Sequence, residues 1–323
     1  MRSATAFAPA TVANVAVGFD ILGFAIESVG DEVTVTLSDR GTDRRTDRAS
    51  VRIREIVNDT GTSGALDISL DPARNAATVG LIKLCDELRL NFGFEVTIRK
   101  GIALGSGMGG SAASAVGALV AANSLLDNPL PTEALLEYAL LGEQAASGTA
   151  HPDNIAPCFF GGMTLVLSLH PFRHVSLPVP ASILTVLVHP RLRVDTHSAR
   201  SILKPSVLLT DHVQQSANLG GFIAGCFGND VKMIGHSFSD LIIEPQRAHL
   251  IPGFADVKAA ALESGALGAS ISGSGPSVFA WVTSDQAAAQ VRDAMVQAFR
   301  SNGLTEVDSW ISPVSRQGAT IIR

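Results

Sequence analysis

The sequence predicts an α+β fold. Segments 31–37 and 94–99 alternate apolar and polar side chains, which is typical of strands in a sheet with one wetted face. Helical patterns lie near such strands, at 75–90 and in the run of small residues that follows position 110. Because strands with one wetted face usually pair antiparallel, we expect antiparallel strands mixed with helices, which defines the α+β class.

The length of 323 residues suggests about two domains. A strand predicted at 161–169 is followed by three prolines, so we place the domains at residues 1–165 and 166–323. The polar segment 39–48 is expected to be a solvated loop. The second half again mixes strands, predicted at 183–188 and 268–272, with helices, predicted at 196–203, at 211–227 and after Asp285.

Composition limits the function classes. Lysine and arginine number 24 against 30 acidic residues, so the net charge is −6, and binding to nucleic acid or to anionic membranes is not expected. No apolar run reaches the ~18 residues of a membrane span. The amino-terminal stretch lacks the apolar segment of a signal peptide. The three cysteines form no metal-binding or redox pattern. Together these features favour a cytoplasmic enzyme.

A glycine-rich loop carries the strongest chemical signal. Four of the six positions in 105–110 are glycine, and the loop lies between a predicted strand and a predicted helix. Glycine lets backbone amides approach a ligand closely, and a helix start adds positive potential. The pattern therefore predicts a phosphate site suited to a nucleotide triphosphate. The alternative is a loop that only packs tightly.

Two known phosphate motifs fit this loop poorly. Gly105, Gly107 and Gly110 match the spacing of a dinucleotide fingerprint, but the preceding strand is half polar, and Asp127 falls in a turn instead of at a strand end. A Walker A loop would need a lysine after its last glycine, where Ser111 stands. Ser111 could ligate Mg²⁺ or cap the helix.

Glu143 is a carboxylate on an apolar helix face. It follows Leu136 by seven positions, Ala139 by four and Leu140 by three, so all four residues share that face. A carboxylate on such a face is costly unless a cation or metal partners it. Mg²⁺ carried by a nucleotide would satisfy it. A solvent-exposed position or an arginine partner would do so equally.

Other polar residues are weaker signals. The segment 151–154, His-Pro-Asp-Asn, predicts a turn that could place Asp153 or Asn154 near a reacting hydroxyl. Arg200 and Arg247 could bind the carboxylate of a small anionic substrate. The segment 273–276, Gly-Ser-Gly-Pro, predicts either a second anion-facing loop or a tight turn.

Three segments together resemble the GHMP small-molecule kinase superfamily. They are 9–20, with Pro-Ala-Thr-Val-Ala-Asn and Gly-Phe-Asp, the glycine loop with its following helix at 105–114, and Ile-Ser-Gly-Ser-Gly-Pro at 271–276. The segments 151–157 and 244–253 are similar to the homoserine kinase family within it. This resemblance implies ATP-dependent phosphorylation of L-homoserine to O-phospho-L-homoserine, for threonine biosynthesis. Another small alcohol such as mevalonate is the alternative acceptor.

The resemblance also implies a structure and a set of site residues. It implies an N-terminal domain like ribosomal protein S5 domain 2, which binds the nucleotide, a ferredoxin-like C-terminal domain, and a homodimer. Ser111 and Glu143 would hold Mg²⁺, and Asn75 would lie near the nucleoside. The ATP phosphates would be wrapped by Leu104, Gly105, Ser106, Gly107, Met108, Gly109, Gly110, Ser111 and Ala112. Homoserine would be surrounded by Asn14, Asp20, Asn154, Thr196, Arg200, Arg247 and Gly273, with Asp20 taking its ammonium and the two arginines its carboxylate. Asn154, Asp153 and Arg200 would be the catalytic residues.

Overall fold

The computed structural model describes residues 2–38, 50–62 and 66–323 of the chain. The predicted solvated loop at 39–48 lies outside the described residues. The described strands are β1 (Ser3–Ala13), β2 (Leu22–Ser38), β3 (Val51–Asn58), β4 (Gly93–Lys100), β5 (Met163–Leu169), β6 (Phe172–Leu177), β7 (Leu184–Pro190), β8 (Gly268–Ile271), β9 (Val278–Val282), β10 (Val307–Pro313) and β11 (Thr320–Ile321). The described helices are α1 (Ala76–Leu88), α2 (Gly110–Ser124), α3 (Thr132–Ser147), α4 (Pro152–Phe160), α5 (Thr196–Ser201), α6 (Leu209–Gly228), α7 (Val231–Ser237), α8 (Glu244–Arg247), α9 (Phe254–Glu263) and α10 (Asp285–Ser301).

The first sheet has the strand order β11-β1-β2-β4-β3, and β5 pairs with both β2 and β6. As its alternation predicts, β4 pairs antiparallel with β2, but it also pairs parallel with β3. Helix α2 packs on this sheet and is buried along most of its length. Its small residues permit that burial: a Cβ on Gly117 would lie 2.9 Å from a methyl group of Val33. This close packing fixes the start of α2, where the glycine loop enters the helix.

The second sheet is antiparallel and has the order β10-β7-β9-β8. Helices α5 to α9 connect β7 to β8, and α10 connects β9 to β10. This is the ferredoxin-like arrangement, so the predicted α+β class is confirmed. Sheet membership changes between Leu177 and Leu184, downstream of the boundary that the sequence analysis places at 165/166, and β11 returns to the first sheet.

An aromatic cluster joins the two sheets. Phe24 of β2 contacts Phe279 and Trp281 of β9, with ring centroids 5.8 and 5.6 Å apart. All three rings are fully buried within one continuous core. Burial of such large rings stabilises the contact between the sheets and holds in place the site that both halves of the chain build. In the described part of the chain, no helix combines the length and apolar character needed to cross a membrane.

Candidate active site

A cavity of about 550 Å³ is lined by residues from both halves of the chain. Every site residue predicted from the sequence lines it except Arg200, Met108 and Ala112. Met108 and Ala112 are buried in the core. Arg200 reaches the site indirectly, because it pairs with Asp20 in the cavity wall.

The glycine loop requires its glycines. Gly105, Gly107 and Gly109 all have positive φ, at 61°, 77° and 69°. A Cβ on Gly107 would lie 2.3 Å from the carbonyl oxygen of Ser272, and one on Gly109 would lie 2.1 Å from the hydroxyl of Thr11. Both conformation and space therefore exclude larger side chains here.

The loop turns its carbonyls toward the protein. Each carbonyl from 105 to 108 accepts a hydrogen bond from outside the loop. The donors are the Val194 amide to Gly105 at 3.0 Å, the Ser277 amide to Ser106 at 3.1 Å, the Ser272 hydroxyl to Gly107 at 2.7 Å and the Thr11 amide to Met108 at 3.1 Å. No acceptor among the described residues takes a hydrogen bond from the amides of 105–110. A cradle of free amides is left, as an anion site requires.

Two further features suit an anion at the loop. The hydroxyl of Ser106 is buried without a hydrogen-bond partner among the described residues, although Ser106 lines the cavity. Gly109 caps α2 without any side-chain hydrogen bond, so the first turn of that helix leaves its amides free. Ser111 therefore does not act as the cap. Phosphate oxygens would satisfy all of these donors.

A buried ion pair supports the loop from below. Lys100 at the end of β4 pairs with Asp31 of β2, and its Nζ also donates to the Gly110 carbonyl at 2.7 Å and to the Ser114 hydroxyl at 3.0 Å. Asp31 accepts hydrogen bonds from the amides of Gly101 and 102, both at 3.1 Å. The ion pair therefore fixes both the segment leading into the loop and the first residue of α2.

Glu143 lies within reach of Ser111. The Ser111 hydroxyl donates to Oε2 of Glu143 at 2.7 Å, and Oε1 lies 3.1 Å from Nδ1 of His151. Glu143 is buried, so the solvent-exposed position does not describe it. Burial lowers the pKa of His151, but its hydrogen bond to Glu143 and the Glu143 charge outweigh that effect and raise the pKa overall. Two oxygen donors facing a cavity are therefore held together.

Asp20 and Arg247 also line the cavity, and Arg200 contacts it through Asp20. Arg200 donates two hydrogen bonds to Asp20, at 3.1 and 2.6 Å. The guanidinium groups of Arg200 and Arg247 both lie over the ring of Phe19, at 5.6 and 5.2 Å from its centroid. Burial lowers the pKa of Arg247, and the Arg200 charge adds to this effect, whereas the Asp20 charge opposes it. The site thus holds two cations near one anion.

The carbonyl of Gly273 contacts two other predicted substrate residues. It accepts from Nδ2 of Asn14 at 2.9 Å and from Nη1 of Arg247 at 3.1 Å. The amide of Gly273 itself donates to the Ala13 carbonyl at 3.2 Å. Segment 273–276 therefore behaves as a tight turn, with carbonyl and amide both used within the protein. Thr196 lies beside this turn, with its hydroxyl 3.5 Å from that of Ser274.

The predicted turn at 151–154 is wrong. Pro152 is the first residue of α4, a position that suits proline because the missing amide would be unpaired there anyway. This helix start buries Asp153, whose Oδ1 has no partner among the described residues, and burial together with the Asp20 charge raises the pKa of Asp153 to about 7. Asn154 accepts the Thr11 hydroxyl at 2.7 Å, which fixes the orientation of its amide.

Asn75 lines the cavity, but its side chain is used within the protein. Its Oδ1 accepts from the Ala77 amide at 3.0 Å and caps α1, while its Nδ2 donates to the Ser69 carbonyl at 2.7 Å. Asn75 therefore holds segment 69–77 against the cavity.

Five residues of the site were not found from the sequence: Thr11, Phe19, Asp31, Lys100 and His151. Phe19 and Thr11 fall inside the first motif segment, so their position beside Asn14 and Asp20 was available as a signal. His151 stands in the 151–154 segment, eight residues after Glu143. Nothing in the local pattern pairs Asp31 with Lys100, because only strand pairing brings residues 69 positions apart into contact.

Comparison with known proteins identifies the family. The model of the GHMP kinases N-terminal domain matches residues 75–162, and that of the GHMP kinases C-terminal domain matches 222–301. Homoserine kinase from Xanthomonas campestris pv. campestris is 47% identical over 322 residues, which cover 100% of this chain and 95% of that protein. The chain belongs to the homoserine kinase family of GHMP kinases.

Another homoserine kinase, from Chlorobium phaeobacteroides, is 43% identical over the full length of both chains. The crystal structure of homoserine kinase from Cytophaga hutchinsonii superimposes with a TM-score of 0.92 at 44% identity, covering 100% of this chain and 98% of that one. The likeness to L. major mevalonate kinase, solved with R-mevalonate, is lower, with a TM-score of 0.66 at 15% identity, and shows the shared fold alone. The predicted family and the two predicted domain types are therefore confirmed.

Proposed function

We propose that this chain transfers the γ-phosphoryl group of ATP to the side-chain hydroxyl of L-homoserine, giving O-phospho-L-homoserine. One observation carries the proposal: a single cavity joins the free amides of the glycine loop to Asp20 and Arg247, whose opposite charges match those of an amino acid. Its volume of about 550 Å³ lies within the ordinary range for small-ligand sites.

The nucleotide would bind at the loop. The amides of 105–110, together with the Ser106 hydroxyl, would hold the phosphates, and Asn75 would lie near the nucleoside. Ser111 and Glu143 fit Mg²⁺, because the Ser111 hydroxyl oxygen and a Glu143 carboxylate oxygen are already held 2.7 Å apart. Mg²⁺ typically binds one or two protein oxygens together with phosphate and water oxygens. When bound, Mg²⁺ would neutralise phosphate charge as the phosphoryl group leaves.

Homoserine would bind at the opposite wall. Asp20 would take its ammonium, while Arg200 and Arg247 would take its carboxylate in the bidentate manner that arginine favours. Asn14, Thr196 and Gly273 would form the remaining wall, because all three lie around the same turn. This placement would direct the side-chain hydroxyl toward α4 and the phosphates.

The transfer itself would depend on positioning. Asn154, held by Thr11, would orient the attacking hydroxyl in line with the γ-phosphorus. A loose transition state develops little charge on the attacking oxygen, so a strong base is not required. Asp153, with a pKa of about 7, would be partly ionised at neutral pH and could then receive the proton. The proton would otherwise leave with the phosphate group.

A coupled assay of ADP release with ATP, Mg²⁺ and L-homoserine tests the proposal. We expect turnover with L-homoserine and none above background with mevalonate, which lacks an ammonium for Asp20. Turnover with mevalonate in place of homoserine would favour the alternative acceptor. No ATP consumption with either would reject the kinase proposal for this chain.

We further propose that the chain is a cytoplasmic homodimer, as the family resemblance implies. The three cysteines are free and buried, as suits a reducing compartment. Light scattering coupled to size exclusion would measure the mass against 33.6 kDa for one chain. A mass near that of one chain would reject the dimer.

A further inference from the structure

The four-residue helix α8 carries Arg247 and contacts the segment that carries Arg200. The carboxylate of Asp240, just before the helix, accepts from the amides of 242, 243 and Glu244, each at 2.9 Å. The last residue of α8 is Arg247, which lines the cavity. The other side chains of this segment have no role in the mechanism described above, yet two of them make several hydrogen bonds.

Glu244 fixes α8 to the core of the second domain. Its carboxylate is buried and accepts from the Ser270 hydroxyl of β8 at 2.6 Å, while it also pairs with Lys258 of α9. Ser270 lies three residues before Gly273, whose carbonyl receives Arg247. Glu244 therefore links α8, which ends at Arg247, to strand β8, which leads to Gly273.

Gln246 fixes α8 to the element that carries Arg200. Its Oε1 accepts from the amide of Lys204, just after α5, at 2.8 Å, and its Nε2 donates to the carbonyl of 242 at 2.6 Å. Arg247 makes a second contact with α5, since its Nε donates to the Ala199 carbonyl at 3.1 Å. Because Ala199 directly precedes Arg200, displacement of α8 would displace both arginines together.

We propose that Glu244 and Gln246 are positioning residues for the amino-acid substrate: they hold α8 so that Arg247 and Arg200 present their charges at a fixed separation. This inference rests on the proposed function for its substrate. It predicts that loss of either side chain weakens homoserine binding and leaves the nucleotide side of the cavity unaffected. A merely structural role would instead reduce the fraction of folded, active enzyme for both substrates.

Steady-state kinetics of the full chain provides the first test. Glu244→Gln keeps the size and one acceptor but removes the charge that faces Lys258. We expect the KM for homoserine to rise about tenfold, as for loss of a charged hydrogen bond. The KM for ATP and kcat should stay within about twofold. The exposed Glu263→Gln on α9 is the matched control and should change neither constant. Equal rises in both KM values, or a fall in kcat alone, would overturn the proposal.

Gln246 offers a second variant that is less buried and so less able to prevent folding. Gln246→Met removes the acceptor for the Lys204 amide, whereas Gln246→Glu keeps it. We expect Gln246→Met to raise the homoserine KM about threefold to tenfold. Gln246→Glu keeps the acceptor but loses the donor to the carbonyl of 242, so we expect it to restore part of the loss. Identical kinetics for the two variants would contradict the contact with α5 as the cause.

Two measurements show whether these residues act through α8. In an Arg247→Ala background, Glu244→Gln should add less than about twofold to the homoserine KM, since coupled sites are non-additive. Full additivity would overturn the proposal. Hydrogen exchange of the free enzyme should be faster in 196–204 for both variants and unchanged in α10. Unchanged exchange in 196–204 would refute the positioning role even if homoserine proved not to be the substrate, whereas wild-type inactivity with homoserine would refute only the proposed function.

Discussion

Replacing Asp153 with asparagine should stabilise the free chain at neutral pH. The unfolded chain ionises Asp153 near its ordinary pKa of 3.8, whereas burial and the Asp20 charge hold the folded-state pKa at about 7. Between these values the folded state binds more protons than the unfolded state, so stability falls as pH rises through that window and levels off above about 7. At about 1.36 kcal/mol per pH unit, the full difference is on the order of 4 kcal/mol.

Equilibrium urea unfolding, followed by circular dichroism at pH 5, 6, 7 and 8, measures this difference. The free energy of unfolding of Asp153→Asn minus that of wild type should grow by about 2 kcal/mol between pH 5 and 7 and level off above that. Asp127→Asn is the control, because the Asp127 side chain is 90% exposed and should show no such trend. If the difference in free energy of unfolding between Asp153→Asn and wild type does not change with pH, the raised pKa of the buried Asp153 carboxyl is refuted.

Three substitutions test the separate parts of the cavity. Glu143→Gln should raise the Mg²⁺ concentration for half-maximal activity about tenfold or more, because a neutral amide is a weaker ligand than a carboxylate; an unchanged Mg²⁺ titration would contradict the assignment. Gly109→Ala should weaken ATP binding about tenfold or more in calorimetry, since its Cβ would lie 2.1 Å from the Thr11 hydroxyl at a φ of 69°. Arg200→Leu should raise the KM for homoserine about a hundredfold, as expected for loss of a bidentate charge pair, while the KM for ATP stays within about twofold; equal effects on both substrates would argue against it.

Local patterns predicted most elements of the fold correctly. The alternation in 94–99 places Phe94, Val96 and Ile98 in the core, as observed. The glycine loop was predicted because the requirement it meets is local: three of its residues need positive φ, and its helix begins within the same segment. The parallel pairing of β3 with β4 was not predicted, because it depends on the crossover through α1 and leaves no mark on either strand alone.

The site was harder to predict because its partners are distant in sequence. Helical spacing placed Glu143 on an apolar face, but the choice among metal, solvent and arginine needed its actual neighbours, the Ser111 hydroxyl and His151. The turn expected at 151–154 failed for a local reason. Proline begins a helix as readily as it begins a turn, and the apolar residues that follow decide between the two.

The ion pair between Asp20 and Arg200 supports the zwitterionic substrate of the proposed function. Both groups are only partly exposed and satisfy each other with two hydrogen bonds, so a ligand that takes one of them leaves the other unpaired. A hydroxy acid would release Asp20 without offering it a cation, and an amino alcohol would release Arg200 without offering it an anion. An amino acid would supply both charges and could replace the pair without leaving either ion unpaired. Under the proposed function, selectivity would therefore arise from the pair as a unit, because each partner alone would accept a wider range of ligands.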